Sequence, residues 1–313
     1  MASADSSWDV FGLGQCSLDY IGRIDRFPDP DTKCEFRDLT VQGGGPVATA
    51  LVALSRWGKR CFFCGVVGDD AFGSAIVDSL AREGIETEGI HVRRGCSSQF
   101  AFIAAEAGTG RRTIFWCRPT GVPIRPEEIP WEAVRRSRVV LTDGLFIEAA
   151  LAVAKKAKEW AVPVVVDAGS LRDGMLDLAR WSDHFIASET FARSFMGADD
   201  PEGACRRLSA LGPSVTGVTL GAKGSIFYAK GRLIRQDAYA VAAVDTTGCG
   251  DVFHGAYVYG LLEGRPLEER LAFASWAAAQ VARRLGGRAG IPPQDRFLDL
   301  IRGSIGHALF CER

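Results

Sequence analysis

Nothing in this sequence marks it for nucleic acid or for a membrane surface. Its 37 basic and 38 acidic side chains nearly cancel to a formal charge of -1, and no basic run interrupts the chain. The electrostatic footprint of a nucleic-acid or anionic-lipid binder is therefore missing. No apolar run reaches the length that spans a bilayer, and the polar start Met1–Ser7 lacks the apolar stretch of a secretory leader. The expectation is a soluble, cytoplasmic protein with neither nucleic acid nor membrane as partner. Internal repeats and low-complexity tracts are also missing. Cysteine does not form a framework either: the nine residues are odd in number and scattered, which fits a reducing compartment. The one Cys-x-x-Cys, Cys61 and Cys64, falls in the β-like run Cys61–Val67. Positions three apart on a strand face opposite sides, so these thiols are expected to be separate core residues rather than a metal-chelating or redox pair.

What is present is enough apolar material for a large core, 47% of 313 residues, which suggests one main α/β domain spanning residues 1–313. Strand and helix signals alternate. Asp9–Gly14 reads as a first strand, Ser17–Arg26 and Lys33–Val41 as short strands before any helix, and Gly45–Trp57 as a helix of small residues. Strand Arg60–Val67 and helix Ala71–Glu83 follow, then three β-like runs across residues 90–118. From Val139 the pattern is regular: strands Val139–Leu141, Val162–Val166, His184–Ala187 and Ser214–Leu220, with helices Ile147–Trp160, Thr190–Phe195 and Pro201–Leu211 between them. Helices around Val252–Leu262 and Leu267–Arg284 close the series. Such alternation implies a mostly parallel central sheet flanked by helices.

The chain is organised around Val244–Ala256. An apolar run, Ala240–Val244, feeds a two-glycine turn, and the apolar spacing after Asp251 reads as a helix. The amides of Gly248, Cys249 and Gly250 are thereby expected as unpaired donors at a positive helix end, which makes an anion site. A carboxylate there, Asp251, suits the removal of a proton from a hydroxyl attacking phosphorus, while the amides hold the charge of the transferred group. Gly-x-Gly alone is equally a glycine-rich helix start capped by Asp.

The longer string Asp245-Thr246-Thr247-Gly248-Cys249-Gly250-Asp251 closely resembles the second signature of the ribokinase-like (PfkB) carbohydrate kinases, with Cys249 where that family usually has Ala. The resemblance implies Asp251 as base and residues 248–250 as anion hole. Gln42-Gly43-Gly44-Gly45-Pro46-Val47-Ala48-Thr49 is similar to the family's first signature, with Thr49 in place of the usual Asn, so Gly44, Gly45 and Thr49 are implied on the acceptor side. Asp19 stands where the family holds the sugar's hydroxyls, and Asp143, after strand Val139–Leu141, is a second candidate because sites in open α/β sheets lie beyond strand ends. Thr219, Gly221 and Gly224 resemble the nucleotide-side loop, although a plain hairpin would also explain the glycines. Ser188 and Thr246 join that nucleotide set. The family's Asn-x-x-Glu aligns with Ser188-Glu189-Thr190-Phe191, which keeps neither end and leaves adjacent Glu189 as a metal candidate acting through water.

The resemblance covers about Val10–Pro292 and implies an ATP-dependent sugar kinase acting on a hydroxymethyl group, with Mg2+ and optionally a monovalent cation. It also implies a small β lid over the sugar, from segments near 17–42 and 90–118, and a homodimer through that lid. Gly43-Gly44-Gly45-Pro46, Ser97-Ser98-Gln99, Asp251–Ala256 and Gly286–Pro292 look most like the sulfofructose kinase branch. That branch's sulfonate-binding Lys is present as Lys33, but its Asn falls on Trp116 and its Arg on Leu145. A sulfonate needs cations or several donors, so the expected acceptor is an uncharged ketohexose-like sugar unless Arg118 substitutes. A sulfofructose kinase, a nucleoside kinase and a catalytically silent sugar or nucleotide sensor are the alternatives.

Overall fold

The computed structural model describes residues 7–296, so the polar start, residues 1–6, and the last 17 positions lie outside the described residues. Thirteen strands occur there: β1 Trp8–Leu13, β2 Ser17–Ile24, β3 Arg37–Gly44, β4 Cys61–Gly68, β5 Glu86–Arg93, β6 Phe100–Glu106, β7 Arg112–Cys117, β8 Ser137–Thr142, β9 Val164–Ala168, β10 His184–Ser188, β11 Val215–Thr219, β12 Ser225–Ala229 and β13 Arg232–Gln236. The helices are α1 Pro46–Arg56, α2 Ala71–Arg82, α3 Trp131–Arg135, α4 Ile147–Glu159, α5 Met175–Trp181, α6 Glu189–Met196, α7 Pro201–Ser209, α8 Cys249–Leu262 and α9 Leu267–Val281.

Nine strands form the main sheet in the order β13-β12-β11-β10-β9-β8-β1-β4-β5, parallel from β11 to β5. Its inner strands are continuous apolar runs because both faces are covered, as β4 shows with all eight residues buried. One apolar layer gathers α1, α8 and α9 on one face, and a second gathers α4 to α7 on the other. Cys61 packs in the first layer and Cys64 in the second, so the two thiols do point apart as their spacing requires. Local signals fix the helix starts. Pro46 opens α1, where its missing N–H costs nothing. The Asp70 carboxylate accepts the Gly73 amide of α2 at 2.7 Å.

From β1 the chain runs outward through β4 to β5, then returns to the other side of β1 with β8 and continues to β11. That reversal leaves a crevice beyond the carboxyl ends of β1 and β8, the place where ligands bind in open α/β sheets. Asp143 follows β8, Asp167 is the penultimate residue of β9, Ser188 ends β10 and Thr219 ends β11, so these residues share one edge.

A second sheet, β3-β2-β6-β7, is built from the segments that the resemblance implies as a lid. Register places Gln42, Asp19, Ala101 and Trp116 in one cross-strand row and Val41, Tyr20, Phe102 and Phe115 in the next. Alternation puts the two rows on opposite faces. Ile21, Ala101 and Ile103, on the face of Asp19, are buried, whereas Val41, Phe102 and Phe115 on the other are exposed.

Two expectations are corrected. Residues 90–93, assigned to the lid, lie in β5 and pair with β4 in the main sheet. Residues 33–36, read as part of a strand, precede β3 and are irregular. The run Ala240–Val244 ahead of α8 is irregular, and Val244 and Asp245 donate to the Ala282 carbonyl at the end of α9, at 2.7 and 3.3 Å.

Candidate active site

Asp251 is the third residue of α8, and Gly248 before it adopts φ 75°, where a Cβ would sit 2.4 Å from the Gly287 Cα. Only glycine fits that approach. A Cβ on Gly250 would meet nothing within 4 Å, so the helix opens onto space that the protein itself does not fill. No hydrogen bond within the described residues uses the amides of Gly248, Gly250 or Asp251, while Cys249 donates to the Thr246 carbonyl at 3.4 Å. The Cys249 amide therefore drops out of the expected set of residues 248–250, and the Asp251 amide joins Gly248 and Gly250 as an unused donor. Burial pushes the Asp251 carboxyl up to about 8, and the negative charges of Asp167, Asp19 and Asp143 push the same way against Arg112. Burial also pushes the Cys249 thiol up to about 12, so the sulfur is neutral at physiological pH.

The acceptor-side candidates gather around buried carboxylates. Asp19 is buried and accepts the Ser17 hydroxyl at 2.7 Å. A Cβ on Gly44 would lie 1.9 Å from its Oδ2, so the glycine is what lets this carboxylate stand there. Burial raises the Asp19 carboxyl, opposed by the Ser17 hydroxyl and by Arg288. Asp143 accepts the amides of Gln15 at 2.8 Å and Leu145 at 2.9 Å, yet burial still holds its carboxyl up at about 6. Gly45 caps α1, and Thr49 is buried in its first turn.

The lid touches the α8 loop directly. Arg112 of β7 donates to the Thr246 hydroxyl at 2.7 Å, and that hydroxyl donates to the Gly110 carbonyl at 3.3 Å. Trp116 shares the Asp19 face of the lid, with the Arg118 guanidinium 4.7 Å from its ring centroid. Lys33 is exposed in the connection ahead of β3, and Leu145 is exposed after Asp143.

Beyond Asp167 lie the nucleotide-side candidates. Ser188 caps α6 by accepting the Phe191 amide at 3.0 Å and donates to the Gly169 carbonyl at 2.7 Å. Gly221, at φ 59°, has open space where a Cβ would be, and Gly224, at φ 84°, turns β11 into β12, so the segment is an antiparallel hairpin as well as a glycine loop. Glu189 meets Lys223 at 3.3 Å and Arg193 at 3.6 Å. Its charge is thus already matched, and among the described residues no group of three His, Cys, Asp or Glu side chains could hold a metal ion. This donor set does not by itself fit a resident metal.

Residues 9–294 match the model of the pfkB family carbohydrate kinases. The chain belongs to that family. It is 27% identical to the ribokinase of Haemophilus influenzae, covering 92% of this chain and 97% of that protein. It is 26% identical to the fructokinase of Solanum tuberosum, covering 96% and 98%. Among solved structures, a proposed ribokinase from Agrobacterium tumefaciens superposes with a TM-score of 0.86 at 26% identity, covering 96% of this chain and 99% of that one. The chain is a sugar kinase with the ribokinase-like α/β fold. No helix of the described residues is long and apolar enough to cross a membrane.

Five residues that this kinase places around the site carried no role from sequence alone: Arg112, Asp167, Arg172, His254 and Arg288. Asp167 was open to the same strand-end argument as Asp143. His254 follows Asp251 by one helical turn. Arg288 is buried beside Gly43, whose Cβ would lie 2.5 Å from its Nη1, and only the three-dimensional path of residues 286–290 brings it there.

Proposed function

We propose that this kinase transfers the γ-phosphoryl group of ATP to a hydroxymethyl group of a neutral, ketohexose-like sugar, with Asp251 as base. The observation that carries it is the start of α8: a carboxylate of raised proton affinity, free of hydrogen-bond partners among the described residues, beside unused amides and unfilled space. The acceptor oxygen forms the new bond to the γ-phosphorus. The bond from that phosphorus to the β–γ bridging oxygen breaks, ADP leaves with the electron pair, and the hydroxyl proton passes to Asp251. The amides of Gly248, Gly250 and Asp251 would hold the phosphoryl oxygens. Asp19, Asp143, Gly44, Gly45 and Thr49 would orient the sugar. Thr219, Gly221, Gly224 and Ser188 would line the nucleotide side. Magnesium neutralises phosphate charge and would arrive with the nucleotide. Comparing K+ with Na+ in the assay tests whether a monovalent cation is needed.

Trp116 shares the lid face of Asp19 and offers an apolar surface to the carbon side of a sugar ring. A second reading, sulfofructose, is favoured by Arg118, whose guanidinium rests on Trp116 and has no carboxylate partner among the described residues. The opposite lid face exposes Leu39, Val41, Phe102 and Phe115, a surface suited to a second copy of this chain, which light scattering in solution tests. An ADP-release screen over neutral sugars, sulfofructose and nucleosides tests the acceptor. Neutral ketohexoses should win in kcat/KM. A lead for sulfofructose that Arg118→Ala abolishes would replace the acceptor assignment, a lead for nucleosides would do the same, and no ADP release with any acceptor would favour the sensor.

A further inference from the structure

The imidazole of His254 is buried one turn into α8, behind the base. Its Nδ1 lies 2.7 Å from the Gly250 carbonyl oxygen and 3.3 Å from Asp167 Oδ2. Both neighbours are acceptors at these distances, so Nδ1 must carry the hydrogen and share it between them. Nε2 is buried without a partner among the described residues. The carboxylate of Asp167, near the end of β9, has no other hydrogen-bond partner there, although the residue is nine-tenths buried. A buried carboxylate held by one shared donor is an expensive arrangement to keep for packing alone.

We propose that Asp167 and His254 are positioning residues for phosphoryl transfer, the imidazole anchoring the Gly250 carbonyl in the first turn of α8 while it holds the Asp167 carboxylate behind Asp251. The inference rests on Asp251 being the base. Gly250 contributes its amide to the anion hole and its carbonyl to His254, so the pair ties hole and base together. The groups facing Asp251 are Asp167 from β9, Asp19 from β2, Asp143 beyond β8 and Arg112 from β7, and Asp167 is the strongest of the electrostatic influences. Asp167 itself faces His254 and Arg172, both opposing its burial. Its negative charge makes Asp251 hold a proton more tightly, and so makes it the stronger base.

The sign follows. Asp251 must be unprotonated to accept the acceptor's proton, so kcat/KM falls on the acid side of its titration. Asp167→Asn removes a negative charge, lowers the proton affinity of Asp251 and should move that acid limb to lower pH by about half a unit or more, with a smaller kcat on the plateau. His254→Ala should lower kcat about tenfold or more with acceptor KM little changed, and His254→Asn, which restores an N–H donor, should recover part of it. The assay uses the fastest acceptor of the screen with Mg·ATP. An unmoved limb in folded Asp167→Asn, or no difference between His254→Ala and His254→Asn, overturns the proposal. Full activity in Asp251→Asn overturns the base assignment instead, which separates the two failures. Should the variants not fold, 15N NMR of the unmodified kinase decides, since only four histidines need assignment. A hydrogen on His254 Nδ1 is required, and a ring bearing it only on Nε2 overturns the arrangement.

Discussion

The start of α8 and the lid meet at the Arg112–Thr246 hydrogen bond, and they are built on opposite rules. At α8 the donors are main-chain amides and one side chain, Asp251, is left without a hydrogen bond among the described residues. Six residues earlier, Asp245 is fully buried and accepts the Thr247 amide at 2.9 Å, the Thr247 hydroxyl at 2.8 Å and the Gly286 amide at 2.9 Å. On the proposed function the same residue type is used once to brace the loop and once for chemistry. The lid presents side chains instead: all six residues of β7 are exposed. Backbone donors cannot be exchanged by substitution, whereas exposed side chains can, so rate should reside at α8 and acceptor choice on the lid.

The sharpest test is Asp251→Asn. Turnover should fall about a thousandfold, within the usual range for loss of a positioned base, while ATP binding persists because the amides remain. Stability should move the other way. An acid whose folded value is about 8, against an ordinary 3.8, destabilises the fold progressively as pH rises between those limits, fully so above the higher one. The asparagine removes that penalty, so Tm at neutral pH should rise. Unchanged turnover, or a lower Tm, would place Asp251 on the structural side of the comparison with Asp245.

Gly44→Ala attacks the acceptor end without touching α8. The added methyl carbon would overlap Asp19 Oδ2 and must displace the carboxylate. Acceptor KM should rise about tenfold or more, the equivalent of one lost charged hydrogen bond, with KM for ATP unmoved. A drop in kcat alone would show that Asp19 acts on rate rather than on binding.

The two regions also differ in how much of them the sequence discloses. The α8 start is one contiguous string, with glycines and aspartate at fixed offsets, so the roles of Gly248, Gly250 and Asp251 could be argued before any coordinates. The alternation of strands and helices likewise disclosed the main sheet, because continuous apolar runs such as β4 are what double-sided burial demands. The lid is made by pairing distant strands, β2 with β6 in parallel, and no local pattern encodes which run joins which sheet; β5 was misplaced for that reason. Arg288 and Arg112 escaped because each reaches the site across more than a hundred residues of chain.

Arg112→Ala breaks the contact between the two regions. Its single hydrogen bond to Thr246 is at an exposed position, so the loss should be modest, about fivefold in kcat/KM, with a weaker salt dependence than the parent kinase. An effect as large as that of Asp251→Asn would mean that the lid, too, carries rate.

Cys249→Ala should have the smallest effect of all, although the residue sits beside the base. Burial keeps its thiol neutral, so the sulfur is neither an anion competing with phosphate nor a nucleophile. What Cys249 contributes is its backbone: it opens α8, and its amide already donates to the Thr246 carbonyl. Alanine keeps that amide, favours the helix more than cysteine does, and gives up only the packing of a partly buried sulfur against the core layer of α1 and α8. The kcat/KM for both substrates should stay within about twofold and the stability loss should not exceed about 1 kcal/mol. In the parent chain Cys249 should alkylate far more slowly than exposed Cys34 and Cys117, because the reagent needs thiolate and access. A tenfold fall in turnover at unchanged Tm, or rapid alkylation that ATP prevents, would move Cys249 from scaffold to chemistry and add a side chain to a region otherwise run by its main chain.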